Sequence, residues 1–143
     1  MIRHLMEKLR SLEKEIADER GDFSLFALFL REDAENRWDL VLSALWLNAD
    51  SLEDINYIAN KLKYRLGENE LLFISRIVLL NLSDPIVKII NNNWGISRGG
   101  SLELNDPQIF NTGLPFKHAY IIISRSEKPV SVNVGKRRLR QSI

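Results

Sequence analysis

The chain has 143 residues, of which 45% are hydrophobic and 27% are charged, and its formal net charge at pH 7 is +1. This length and composition are typical of one soluble globular domain, which buries enough apolar surface to fold without a disulfide or a structural metal. Cysteine is absent. Its absence excludes disulfides, a thiol nucleophile and thiolate metal sites, and it fits a reducing compartment.

The start of the chain does not resemble a secretory signal. Residues 1–21 carry charged side chains throughout and lack an unbroken apolar stretch. No apolar run approaches the roughly 18–20 residues that a membrane-spanning helix needs. We therefore predict a cytoplasmic protein without a membrane partner.

Residues 1–20 have the pattern of an amphipathic helix. The hydrophobic residues that recur at spacings of three and four are Ile2, Leu5, Met6, Leu9, Leu12 and Ile16. This spacing places them on one stripe of a helix. Gly21 follows as the residue that tolerates the left-handed conformation common at helix ends.

Two short apolar runs, 23–30 and 38–47, are predicted to form an antiparallel hairpin. In strand geometry Trp38 and Trp46 fall on the same face of the second run. Both faces of the two strands are mostly apolar, so we expect them to be central in a sheet. Helices should cover one face, and a second subunit is one candidate for covering the other.

The charged segment between these runs is predicted to be a solvated turn. Its charged residues are Arg31, Glu32, Asp33, Glu35, Arg37 and Asp39. Such carboxylates can bind Mg²⁺, but no carboxylate-x-Lys pattern follows on the next predicted strand. Asp39 and Ser43 resemble a base and a nucleophile, yet four strand residues span about 13 Å, too far for a hydrogen bond.

The middle of the chain predicts two helices on either side of a buried strand. Ser51 has N-cap spacing before an apolar stripe that Gly67 closes. Residues 73–82 follow as a strand, and strand, helix, strand at this spacing predicts a parallel crossover. A second helix should begin at the Asp84 cap and end near residue 92.

Residues 117–124 and 129–134 are the last predicted strands, and 101–104 is a candidate brief edge strand within the loop that precedes them. The element order is therefore α-β-β-α-β-α-β-β. We predict an α+β domain over residues 1–134, with a mixed, mostly antiparallel sheet of 4–6 strands and two main helices. Residues 135–143 form a basic C-terminal tail.

The sequence predicts no catalytic set, no cofactor and no metal site. Its two histidines are too few for a zinc site, and His118 has the pattern of a packed or rim residue. The glycine-rich stretch around Arg98 matches no phosphate-binding fingerprint. Should the chain be an enzyme, its polar candidates His118, Asp39, Arg98 and Arg76 would have to converge around a cleft.

Two non-enzymatic functions remain. The leading hypothesis is a protein interaction or assembly domain that self-associates as a dimer, with Trp38 and Trp46 as its interface, because aromatic residues are enriched at interface centres. Burial of the same tryptophans in an ordinary core is the alternative.

The second hypothesis rests on an uneven distribution of charge. Residues 117–143 contain seven Lys and Arg against one Glu, a net +6, whereas residues 1–116 carry −5. The cluster Lys136, Arg137, Arg138 and Arg140 suits contact with nucleic acid or with an acidic protein partner. A solvated tail that aids solubility is equally compatible with it.

Deletion of residues 136–143 tests the nucleic-acid hypothesis. We expect the full chain to bind nucleic acid with an affinity that falls steeply as salt rises, and the truncated chain to lose that binding. Fluorescence anisotropy with a labelled oligonucleotide measures both. Binding that survives the deletion would place the site elsewhere, and no binding at low salt would end the hypothesis.

Overall fold

The computed structural model describes residues 2–31, 37–97, 99–105 and 116–125. These residues form four helices and five strands. In chain order the elements are α1 (Ile2–Arg20), β1 (Leu25–Arg31), β2 (Trp38–Ser43), α2 (Leu52–Arg65), α3 (Glu68–Leu71), β3 (Ile74–Leu79), α4 (Pro85–Asn93), β4 (Leu102–Leu104) and β5 (Phe116–Ser124).

The strands make one sheet in the order β3-β2-β1-β5-β4. β1 pairs antiparallel with β2 on one side and with β5 on the other. β2 and β3 are parallel, as expected for strands joined through a helix, and β4 pairs antiparallel with β5. The predicted α+β class, the hairpin and the parallel crossover are confirmed.

β1 is apolar on both faces because both of its faces are covered. Phe26 and Leu28 point into a core built from α1, α2 and one side of the sheet. Leu25, Ala27 and Phe29 point the other way, toward α4 and Leu104. All of these residues are at most 4% exposed, so β1 lies at the centre of two apolar layers.

Helix α4 supplies the second layer, which corrects one expectation. Val87 and Ile90 of α4 are buried against this face of the sheet, so the chain itself covers a surface for which a second subunit was a candidate. A polar network holds the helix in place. Asn91 donates to Ser24 Oγ at 3.1 Å and accepts from Ser124 Oγ at 2.7 Å.

Both predicted N-caps are confirmed, but the end of α2 differs. Ser51 Oγ accepts from the Asp54 backbone N–H, and Asp84 Oδ1 accepts from that of Ile86. Gly67 does not end α2 in a left-handed conformation. Its φ is −76°, and it is instead the N-cap of the short helix α3, where its N–H donates to Glu70 Oε1 at 2.8 Å.

The predicted strand 129–134 and the tail 135–143 lie outside the described residues. Among the residues that are described, no helix is long and apolar enough to cross a membrane.

Gly21 joins the end of α1 to the sheet in a conformation that side chains rarely adopt. Its φ is +126°, and a Cβ placed on it would lie 2.9 Å from Trp46 Cδ1. Trp46 Nε1 also donates to the Gly21 carbonyl at 2.8 Å. The tryptophan therefore packs on the backbone here, and only glycine leaves room for it.

We expect Gly21→Ala to lower the free energy of unfolding by about 1–3 kcal/mol, through backbone strain and displacement of the Trp46 indole. Urea denaturation followed by circular dichroism measures the change. Gly67→Ala is the matched control, because φ there is −76° and its added Cβ would meet nothing closer than 3.4 Å. The control should stay within about 1 kcal/mol of the parent, and equal losses in both variants would contradict the strain argument.

Candidate functional site

The structure places the two candidate interface tryptophans against the chain's own core. Trp38 is 7% exposed and packs on the rings of His118 and Tyr120, with centroids 5.2 and 5.3 Å away. Trp46 is partly buried and contacts Phe23 edge-on at 5.4 Å. Both contact the same apolar layer, on which α1 and α2 pack, but β2 ends at Ser43, so the predicted strand 38–47 is too long and Trp46 lies in the turn after it.

The polar enzyme candidates do not converge. Trp38 and Asp39 are neighbours in β2 and therefore point to opposite faces of the sheet. His118 packs on Trp38, whereas Asp39 Oδ2 lies 3.1 Å from Arg76 Nε on the other face. Arg98 lies outside the described residues.

Asp39 is not part of a solvated turn. It lies inside β2, its side chain is 1% exposed, and the Arg76 guanidinium offsets the cost of burying its charge. Ser43, four positions further along β2, is fully buried, and its Oγ finds no hydrogen-bond partner among the described residues. The two lie on the same face with Val41 between them, too far apart for direct proton transfer.

Strand β3 is an open edge of the sheet. Only β2 pairs with it among the described strands. Ser75 is an extra residue opposite the Trp38–Asp39 step, so a bulge interrupts the beginning of the strand. From Arg76 to Leu79 the pairing with β2 is regular. Among the described residues, no strand pairs with the outer half of the β3 backbone N–H and C=O groups.

The β3 edge is apolar as well as open. Ile77 and Val78 lie on opposite faces of the strand, and both are partly exposed. Arg76 is the only charged residue of the strand, and its guanidinium is engaged by Asp39. The bulge at Ser75 and the charge of Arg76 are features that normally hinder edge pairing, whereas residues 77–79 contain neither a charge nor a proline.

The opposite edge, β4, is short, and its central residue is charged. It has three residues, and Glu103 Oε2 lies 2.7 Å from His118 Nε2 on β5. The His118 ring stacks on Tyr120 with centroids 5.0 Å apart. Burial and the nearby Glu103 carboxylate both raise the pKa of the Tyr120 hydroxyl, so it stays protonated at neutral pH.

Helices α1 and α2 are joined by a network of ionic contacts. Lys61 Nζ lies 2.8 Å from Glu15 Oε2 and 2.7 Å from Glu19 Oε2, and Arg65 also pairs with Glu15. The Tyr57 hydroxyl donates to Glu19 Oε1 at 2.6 Å. These contacts border a depression of about 300 Å³ on the helix surface.

The protonation states in this network fit a structural role better than a catalytic one. Hydrogen bonds from Lys61 lower the pKa of both glutamates, and the same bonds raise the pKa of Lys61. Burial first, and then the hydrogen bond to Glu19, raises the pKa of Tyr57 to about 12. At neutral pH neither Lys61 nor Tyr57 is a base or a nucleophile, because each retains its proton.

Two other kinds of site, a metal site and a basic contact surface, are not found among the described residues. Among residues 2–31, 37–97, 99–105 and 116–125, no three His, Asp or Glu side chains are placed to hold a metal ion. Lys136, Arg137, Arg138 and Arg140 lie outside these ranges, so their contact with nucleic acid or an acidic partner stays a prediction.

Sequence reasoning missed two features, and only one of them had a signal in the sequence. Glu15 and Glu19 on α1 and Lys61 and Arg65 on α2 are complementary pairs, each with a spacing of four residues. This pattern predicts that the two helices lie side by side. The β3 edge had no comparable signal, because its position depends on the strand order of the whole sheet.

Comparison with known proteins gives no match. No family model fits the chain, and neither the curated proteins nor the solved structures contain a significant relative. The function must therefore be argued from this structure.

We expect Tyr57 to ionise near pH 12 in the folded protein, and Glu19→Gln to lower that value because the neighbouring negative charge is removed. The difference in tyrosinate absorbance between each protein and its Tyr57→Phe variant measures the ionisation. Asp18→Asn, an exposed neighbour on α1, is the matched control and should leave it unchanged.

The raised pKa of Tyr57 also makes the free energy of unfolding depend on pH, in a direction that can be stated. The folded pKa of Tyr57 lies above the ordinary value of 10, so its contribution is complete below pH 10 and is lost as pH rises toward 12. A Tyr57 that ionises near pH 10 in the folded chain would contradict the described contact with Glu19.

Proposed function

We propose that this chain is a non-enzymatic, cytoplasmic assembly domain that self-associates as a dimer through the open edge of β3. The observation that carries the proposal is an edge strand that is regular, apolar and unpaired among the described residues from Ile77 to Leu79. The tryptophan-bearing face of the hairpin is not the interface in this proposal, because the chain's own helices cover it.

Backbone pairing supplies the direction and specificity of such a contact. An exposed edge strand presents alternating donors and acceptors that a second strand satisfies without any change of fold. In a two-fold symmetric dimer, β3 would pair antiparallel with the β3 of a second copy. The five strands described here would then continue into a sheet of ten.

Apolar side chains on both faces of the strand supply the driving force. Ile77 borders the core formed with α1 and α2, and Val78 borders the core formed with α4. The α4 residues Ile86 and Ile89 are also only partly buried against that second core. Each Å² of apolar surface removed from water by a partner contributes about 25 cal/mol.

The other edge suits this role less well. β4 contains only three residues, and its central residue Glu103 is charged and engaged with His118. Short length and charge are the usual means by which proteins prevent edge-to-edge association. The sheet therefore has one edge protected in this way and one edge that is open.

Light scattering coupled to size exclusion tests the proposal. We expect the full chain to be a dimer at tens of micromolar, which requires a dissociation constant of about 10 µM or less, or about 7 kcal/mol. Ile77→Lys should give a monomer, because a buried charge at the centre of the new pairing has no partner. Leu102→Lys, a partly exposed residue on the opposite edge, is the matched control and should remain dimeric.

A mixing experiment separates loss of the interface from loss of the fold. Ile77→Lys and Ile77→Glu chains should each be monomeric but should form a heterodimer when combined, since the two charges then meet as a pair. A parent chain that is monomeric at tens of micromolar would overturn self-association. A parent dimer that Ile77→Lys leaves intact, with a folded circular dichroism spectrum, would overturn the β3 interface.

A further inference from the structure

A groove of about 510 Å³ runs between the first half of α1 and the β4–β5 edge of the sheet. It lies at the edge opposite β3 and takes no part in the proposed dimer contact. The residues that line it are Ile2, Arg3, Met6, Glu7, Arg10, Ser101, Leu102, Glu103 and Tyr120. Its volume falls within the range of small-molecule sites, about 300–1,000 Å³.

The groove has an apolar floor and polar walls. Met6 is buried, and Leu102 and Tyr120 are partly buried, and these three side chains form the apolar part of the groove lining. Arg3 and Arg10 are seven residues apart, two turns of α1, and therefore lie on the same side of the helix. The groove thus combines apolar contact area with two guanidinium groups.

One of the two carboxylates of the groove is engaged, and the other is exposed to solvent. Glu103 Oε2 lies 2.7 Å from His118 Nε2 and also interacts with Tyr120. Glu7 Oε1 lies 3.9 Å from His4 Nδ1. Neither carboxylate forms an ion pair with an arginine of the groove.

The guanidinium groups have no anionic partner within the described part of the chain. Arg10 Nη2 donates to the neutral Ser101 hydroxyl at 2.7 Å, and Arg3 makes no ion pair or hydrogen bond with another described residue. The Ser101 contact fixes Arg10 at the wall between α1 and β4. An arginine held in this way offers further N–H donors in the planar arrangement that binds carboxylate and phosphate oxygens in pairs.

We propose that this groove binds a small molecule with a flat apolar body and one anionic group, a carboxylate or a phosphate. The anionic group contacts Arg3 and Arg10, and the apolar body lies on Met6, Leu102 and Tyr120. The same guanidiniums disfavour a cationic ligand of equal shape.

Amide chemical shifts of the full chain measured by NMR test the proposal with defined probes. Phenyl phosphate and benzoate should bind saturably and shift the amides of residues 2–10 and 101–104. Benzyl alcohol and benzylamine, which keep the ring but lack the anion, should bind at least tenfold more weakly. The tighter of the two anionic probes identifies the anionic group that the groove prefers.

Substitutions test whether the two arginines are responsible for binding the anionic probe. Arg3→Gln combined with Arg10→Gln should raise the dissociation constant of the better probe at least tenfold and leave the remaining amide shifts unchanged. Lys14→Gln, which removes an exposed cation on α1 away from the groove, should leave binding unchanged. Equal binding of benzyl alcohol, an unaffected double variant, an equal loss in the Lys14 variant, or no saturable binding would each overturn the proposal.

The apolar floor has a separate test, and the result does not depend on dimerisation. Inorganic phosphate should bind at least tenfold more weakly than phenyl phosphate, and equal binding would remove the floor from the proposal. Measured in the Ile77→Lys background as well as in the parent, the titration distinguishes failure of this site from failure of the β3 interface.

Discussion

The burial of β1 on both faces is the constraint on which the rest of the structure depends. A strand with Phe26 and Leu28 on one side and Leu25 and Phe29 on the other needs two layers of cover. The ionic contacts that join α1 to α2 fix the first layer, and the polar network around Asn91 fixes the second. Because β1 is the middle strand, β2 and β5 are in turn held at defined registers on either side of it.

The same arrangement explains why the polar groups that could bind another molecule lie at the edges of the sheet. Polar groups inside the sheet are few and serve structure, as with the Asp39–Arg76 pair, whose neutralised charge is tolerated next to the core. Within the described part of the chain, the groups with unused capacity are at the two edges, where β3 lacks a second neighbouring strand and the arginines of the α1–β4 groove lack anionic partners. A central strand that needs all of its surface for packing has no side chain free to contact another molecule.

Local signals made much of the fold predictable. The apolar spacing in α1 and the caps Ser51 and Asp84 act over a few residues, and each was confirmed. Asp39 was misplaced in a turn because its partner Arg76 lies 37 positions away and is brought near only by the β2–β3 register. Strand order, which makes β3 an edge and joins Glu103 to His118, is likewise set by long-range pairing that short patterns do not encode.

The pairing of β1 with β5 also constrains how the chain acquires its structure during synthesis. Leu25 lies opposite Ser124, so the central strand waits for about 100 further residues before its second neighbour exists. On a ribosome that adds about 5–20 residues per second, the delay is several seconds. During that interval the edge of β1 that later pairs with β5 lacks its neighbour, and an apolar strand in that state is prone to association with other chains.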